Sequence, residues 1–229
     1  MEMNSIKEIM RRTKNLTSVT LYKNEEEFIK KTIDHIYPHV DNLILCDDDS
    51  NDQSYTICKN YDDPDKKILN LKLPKVISDT WNIVDKKNFM LAFVDTWWVL
   101  VLDADEYIED AFYKELPNMM ADRDWDVYGI PRKNYIDGEW IKTRKDIAGV
   151  LEATYPDYQL RLFRARMRYC GSVHEDIVGH QNERCLYLSK EGPHIIHDKT
   201  SQRQKLQDKR YDELAKRKIH FTKFKFMGG

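Results

Sequence analysis

Glycine and proline are scarce in this chain, 8 and 7 of 229 residues, and with 41% hydrophobic and 33% charged residues that scarcity excludes a disordered protein. Cysteine is scarce too. Cys46, Cys58, Cys170 and Cys185 make no C-x-x-C pair and no even ladder, which reads as a reduced, cytoplasmic protein rather than a disulfide scaffold. No stretch approaches the ~18 consecutive apolar residues of a membrane span, and Met1-Glu2-Met3-Asn4 starts no apolar leader. Any membrane contact is therefore expected to be peripheral. A formal net charge of −2 predicts no general affinity for polyanions, yet Lys199–Phe226 holds ten Lys/Arg against three Asp/Glu. The body is acidic and the tail basic, a pattern suited to a membrane surface or a polyanion.

The apolar residues are arranged as alternating strands and helices. Ser18–Tyr22 predicts a strand, Glu25–Ile36 a helix ending at Tyr37-Pro38, Leu43–Cys46 a second strand, and Ile57 a place in a second helix. Ile68–Leu73, then Asp85–Val94 with Phe89 and Phe93 on one face, then Trp97–Leu102 continue the rhythm as strand, helix and buried strand. That alternation implies a mainly parallel sheet flanked by helices. After Asp105 the pattern is less regular: a helix over Glu109–Leu116 stopping near Pro117, then strands at Val127–Pro131, Gln159–Phe163 and Leu186–Ser189. The expected organisation is an α/β domain over residues 1–198, with a first half at about 16–106 and an α+β half at about 107–198. A basic tail over 199–229 would carry a helix from Ser201 to Ile219.

The chemistry concentrates where strands end. Asp103-Ala104-Asp105-Glu106 closes the apolar run Trp97–Leu102, and in a continued strand Asp103 and Asp105 would share a face. Two carboxylates at the carboxyl edge of a sheet suit a hard divalent cation carrying phosphates. Asp47-Asp48-Asp49-Ser50-Asn51-Asp52 follows the second strand as a turn and helix cap, and Asn24-Glu25-Glu26 follows the first.

In this order these motifs resemble glycosyltransferase family 2 with the GT-A fold, a Rossmann-like sheet. Tyr155-Pro156-Asp157-Tyr158-Gln159-Leu160-Arg161-Leu162-Phe163-Arg164 and Gly171-Ser172-Val173-His174-Glu175 are similar to the branch that adds single sugars to lipopolysaccharide and other surface glycans. The resemblance spans about Ser18–His197. It implies an inverting transfer of one sugar from a nucleoside diphosphate sugar, a UDP-sugar first of all, to a glycan, glycolipid or similar hydroxyl, with Mn²⁺ or Mg²⁺. By the same resemblance Asp103 and Asp105 hold the metal. Asn24 and Glu25 border the nucleotide, Ala104 lies beside them, and Asp47 or Asp48 accepts the uracil N3–H. Lys87-Asn88 approaches the donor where the family commonly has Arg-Asn, with the bidentate geometry of arginine lost. Glu175 or Asp176 is the catalytic base, and His194 or His197 adds a metal or diphosphate contact.

Simpler readings stand beside these. Glu25 and Glu26 suit the first turn of a helix, Trp97 and Trp98 suit the core, and Tyr135 and Trp140 in the polar connection Asn134–Lys142 suit an acceptor surface. His194 and His197, three apart in a strand-like segment, would face opposite sides and share no ion. The chain lacks the Gln-x-x-Arg-Trp pattern of processive synthases. Two other readings remain at this stage: transfer to a modified base in DNA, with the tail gripping phosphates, and a catalytically silent nucleotide-sugar-binding module.

Overall fold

A computed structural model describes residues 15–80, 82–145, 151–171, 176–179, 184–205 and 209. In its first half β1 (Leu16–Tyr22), α1 (Ile29–Ile36), β2 (Asn42–Asp47), α2 (Ser54–Lys59), β3 (Ile68–Lys72), α3 (Lys75–Ser78), α4 (Ile83–Leu91) and β4 (Trp98–Val101) alternate as the apolar pattern predicts. The four strands pair in parallel in the order β3-β2-β1-β4. Side-chain alternation divides them between two cores. Leu16, Tyr22, Trp98, Leu100 and Leu102 pack with Ile29, Ile33 and Ile36 of α1, while Val19, Val99 and Val101 pack with Val84 and Leu91 of α4. Each of the three α1 isoleucines is at most 1% exposed, contributing about 1.5–3 kcal/mol by burial. The sheet is thus covered on both faces, which leaves its carboxyl edge for a site.

The second half comprises β5 (Glu106–Ile108), α5 (Asp110–Ala121), β6 (Val127–Ile136), β7 (Glu139–Trp140), β8 (Thr143–Lys145), β9 (Leu151–Ala153), β10 (Asp157–Arg164), β11 (Arg168–Cys170), β12 (Asp176–Val178), β13 (Cys185–Tyr187) and β14 (Ile195–Lys199). It continues the same sheet as β4-β10-β6-β14-β5. β10 runs antiparallel to both β4 and β6, so its first residues reach the edge where β4 ends. β14 pairs antiparallel with β5, setting His197 opposite Glu106.

Three expectations are corrected. Helix α5 runs through Pro117 to Ala121. Proline lacks the N–H its turn would use, but Phe112, Tyr113 and Leu116 anchor the helix in the core, and Trp98 Nε1 and the Tyr128 hydroxyl donate to the Met120 and Met119 carbonyls at 3.1 and 2.8 Å. Trp97 is not core: it precedes β4 at the amino edge of the sheet and is 69% exposed. The connection after Asn134 is a hairpin rather than a loop, because Asp137 (φ 51°) and Gly138 (φ 80°) form the two-residue left-handed turn that reverses β6 into β7. Residues 201–205 and 209 are helical, and the rest of the expected tail helix lies outside the described residues. Among the described residues no helix is long and apolar enough to cross a membrane.

Candidate active site

Strand β4 stops at Val101, and residues 103–106 form a turn in which the Glu106 N–H donates to the Asp103 carbonyl at 3.0 Å. Asp103 and Asp105 are therefore not set by alternate strand positions, because the strand alternation has already ended, although Asp103 is near enough to oppose the ionisation of Asp105. The two carboxylates take different partners. Asp103 Oδ2 accepts from Arg161 Nη2 at 2.6 Å, and Asp105 Oδ2 faces His197 Nε2 at 3.3 Å.

Between them runs a nearly closed circuit of polar contacts. Arg161 also donates to Glu106 Oε1 at 2.9 Å, Arg132 donates to the same oxygen at 2.8 Å, and Glu106 Oε2 accepts the Asp103 N–H at 3.1 Å. Arg132 Nε and Asn134 Nδ2 both donate to Asp157 Oδ2, at 2.9 and 3.1 Å, and Asn134 Oδ1 lies 2.8 Å from His197 Nδ1. Glu106 is fully buried and Arg161 is 4% exposed, so neither charge would persist there unpaired. Burial opposes ionisation of Asp103, but Arg161 and then Lys87 outweigh it and hold the carboxyl well below the usual carboxylate range. Asp105 is also held low: burial again works against it, and the His197 hydrogen bond wins.

The circuit sets the histidine tautomer. Asp157 can only accept, so it takes the Asn134 amide N–H. That turns the Asn134 oxygen to His197 Nδ1, which must carry the proton. With Nδ1 protonated, Nε2 donates to Asp105 when the ring carries its second proton, and in the neutral ring its lone pair faces a cation that Asp105 also binds. A carboxylate oxygen and an imidazole nitrogen fixed by an outer-shell amide form a donor set suited to a divalent metal. The surroundings also call for positive charge. Burial pushes the Glu25 carboxyl up to about 7, against the Arg203 hydrogen bonds and with a contribution from Asp105. Arg203 meets that demand here, donating to both Glu25 oxygens at 2.6 and 2.5 Å and lying 3.6 Å from Asp105. Among the described residues no three His, Cys, Asp or Glu side chains converge as a ready metal cage. The fit is thus to an ion taking two protein ligands here, the rest coming from phosphate and water, as Mg²⁺ commonly does.

On the nucleotide side the loops after β1 and β2 lock together. The Asn24 N–H donates to Ser50 Oγ and Asn24 Oδ1 accepts from the Asn51 N–H, at 3.0 and 2.8 Å. The Glu25 N–H donates to Ser54 Oγ at 2.6 Å. Glu26 caps the next turn by accepting the Gln53 N–H at 2.9 Å. Of the aspartate pair, Asp48 is fully used, by Lys86 at 2.7 Å and Ser78 at 2.8 Å. Asp47 is buried and accepts the Ser50 N–H on Oδ1 at 3.1 Å, and among the described residues its Oδ2 has no hydrogen bond of that kind. Lys87 is buried beside the Tyr169 ring and its charge reaches Asp103. The Asn88 amide brackets Tyr169, donating to that carbonyl at 3.0 Å and accepting that N–H at 2.9 Å, which ties α4 to β11. The Ala104 carbonyl accepts from Thr32 Oγ1 at 2.6 Å and pins the turn to α1.

His174 and Glu175 lie outside the described residues. Asp176 opens β12 opposite Cys170, exposed, with one carboxylate oxygen on the Ile177 N–H. His194 and His197 part as expected. His194 contacts Glu109 and the Tyr155 hydroxyl, at 3.2 and 2.8 Å, away from Asp105.

The model of the family described as "Glycosyl transferase family 2" matches residues 18–181. The chain belongs to glycosyl transferase family 2. No curated protein matches the sequence. The fold is that of S. aureus TarS: a structure of its residues 1–349 with UDP aligns at 15% identity and TM-score 0.55, and one with UDP-GlcNAc does equally. These cover 80% of this chain and 60% and 58% of TarS 1–349, so the chain spans about three fifths of that fragment's length. A looser likeness, TM-score 0.46 at 16% identity over 53% of this chain and 36% of the other, is to the mannosyltransferase PcManGT of Pyrobaculum calidifontis with GDP-Man and Mn²⁺.

Within this family 2 site, Arg132, Arg161, Glu106, Asn134, Asp157 and Arg203 have no role in the sequence reading. One signal was available. An arginine in the apolar run Leu160-Arg161-Leu162-Phe163 must meet carboxylates once that strand is buried.

Proposed function

We propose that this chain transfers one sugar from a nucleoside diphosphate sugar, a UDP-sugar, to the hydroxyl of a glycan or glycolipid, inverting the anomeric centre and requiring Mn²⁺ or Mg²⁺. The observation that carries the reading is the convergence of Asp105 Oδ2 and His197 Nε2 at the carboxyl edge of the sheet, with Asn134 holding the imidazole. TarS, which shares the fold, was crystallised with UDP and with UDP-GlcNAc.

In this reading Asp105 and His197 hold the ion, and Asp103 keeps its place beside it through Arg161. When bound, the ion neutralises the diphosphate and eases its departure. Asp47 accepts the imide N–H of the base, an interaction a carboxylate can make because it only accepts. The locked loops around Asn24 and Ser50 shape the wall beside it. Arg203, bonded to Glu25 and 3.6 Å from Asp105, would supply positive charge to a diphosphate held beside that carboxylate. Glu175, or Asp176 at the start of β12, takes the acceptor proton from the face opposite the leaving group.

Thermal stability with UDP, GDP and their sugars, each with and without Mn²⁺, tests this. UDP at about 100 times its dissociation constant should add about 2.7 kcal/mol, in Mn²⁺ only. Asp105→Asn should remove that gain. The reading fails if no nucleoside diphosphate stabilises the protein in a metal-dependent way.

A further inference from the structure

At the amino edge of the sheet, opposite the turn of Asp103–Glu106, lies a cleft of about 540 Å³ lined by Thr96, Trp97, Arg123, Asp126, Arg164, Ala165, Arg166 and Arg184. It contributes nothing to the donor site. From Trp97 to Asp103 the chain advances six residues, about 20 Å in extended form. Asp126 is 3% exposed and anchors the cleft: Arg184 Nε donates to it at 2.6 Å, Arg166 Nη2 at 2.9 Å, and Arg164 Nε lies 3.5 Å away. Three guanidiniums share one carboxylate. Burial opposes its ionisation, but Arg184 and Arg166 hold the Asp126 carboxyl below its usual range.

The arrangement leaves donors to spare. Arg166 is 61% exposed and, among the described residues, bonds only through Nη2. Arg164 is held over the Trp98 ring, its guanidinium carbon 4.0 Å from the ring centre, and by the Asp122 carbonyl, and Arg184 by the Arg123 carbonyl, so the fork positions are preset. Asp122 and Asp124 on the same loop offset part of the positive excess. The cleft is therefore a recognition surface and not an unselective polyanion trap. Beside the arginines stands the Trp97 indole, 69% exposed, where the sequence pattern called for core. An open aromatic face next to prearranged guanidiniums matches a ligand with an apolar ring face and anionic substituents.

We propose that this cleft binds a saccharide bearing carboxylate or phosphate groups, as a docking site for a charged glycan acceptor remote from the point of transfer. The glycan part rests on the function proposed above, and the anionic part on the cleft alone. A polymer held here presents its growing end to the sheet's other edge at raised effective concentration.

Binding without metal or nucleotide separates this idea from the donor site. Hexagalacturonate, a phosphorylated oligomannose, neutral maltohexaose and inorganic tripolyphosphate would be titrated by calorimetry into the full chain and into Trp97→Ala and Arg166→Glu. Both positions are exposed, so both variants should fold. At least one anionic saccharide should bind, with maltohexaose silent, and each substitution should weaken it about tenfold, as loss of a charge-assisted bond or a stacked face implies. Failure of both anionic saccharides overturns the proposal. So does binding unchanged in the two variants, which would place it on the basic tail. Tripolyphosphate binding as tightly as the saccharides and ignoring Trp97→Ala would reduce the cleft to a bare anion patch and equally overturn it.

Discussion

Replacing Glu106 by Gln tests the polar circuit at its most buried member. Glu106 is 0% exposed and its two oxygens accept three hydrogen bonds, from Arg132, Arg161 and the Asp103 N–H. Glutamine keeps the shape, but its amide nitrogen must face either a guanidinium or the Asp103 N–H, so one donor meets another. Removing one partner of a buried pair typically costs about 3–5 kcal/mol. Here Asp103 still pairs with Arg161 and Asp157 with Arg132, so neither guanidinium is left alone. We therefore expect the lower end, about 3 kcal/mol. In urea, with a slope of about 3 kcal/mol/M, that moves the midpoint down by about 1 M at unchanged slope. Lys75→Ala is the control, since its pair with Asp79 is 70% and 60% exposed and its loss should leave the midpoint unmoved. A Glu106→Gln loss under about 1 kcal/mol at constant slope would show that the circuit is a set of independent surface-like contacts, and the argument for its rigidity would collapse.

Three further outcomes follow from the same geometry. Asn134→Ala should leave the fold intact yet weaken Mn²⁺ binding in the presence of UDP by about 10–100-fold, because it frees the His197 tautomer; equal affinity by titration calorimetry would deny His197 a place at the ion. The Asp157 carboxyl is held below its usual range, burial opposing and Arg132 prevailing. Its contribution is therefore complete above the unfolded value near 3.9 and is lost as pH falls through the lower folded value. The gap in melting temperature between Asp157→Asn and the parent should be widest above about pH 4 and narrow steadily as pH falls below it, whereas a constant gap would contradict the linkage. Asn82 caps α4 by accepting the Val84 N–H at 3.1 Å, so Asn82→Ala should cost about 1 kcal/mol in urea melts without changing ligand binding.

The parts of the molecule legible in sequence are those governed by local period. Val19, Leu43, Leu45, Val99 and Val101 announce strands because both faces of a covered sheet must be apolar, and Ile29, Ile33 and Ile36 announce a helix by their spacing. The pairing of Asp103 is not of that kind. Its partner Arg161 stands 58 residues away on an antiparallel strand, and only the register of β10 against β4 brings them together. Sequence can require that a buried arginine find carboxylates without saying which. The same limit hid the different partners of Asp103 and Asp105, since only a strand continued from Val101 through Asp105 would have kept their side chains on one face. Where the chain turns decides the chemistry. By stopping at Val101 the strand commits Asp103 to Arg161 and leaves Asp105 to His197, and because both commitments close through Glu106 and Asp157, Asp103 and the proposed metal ligand Asp105 are held by one framework. Displacing either is expected to move the other.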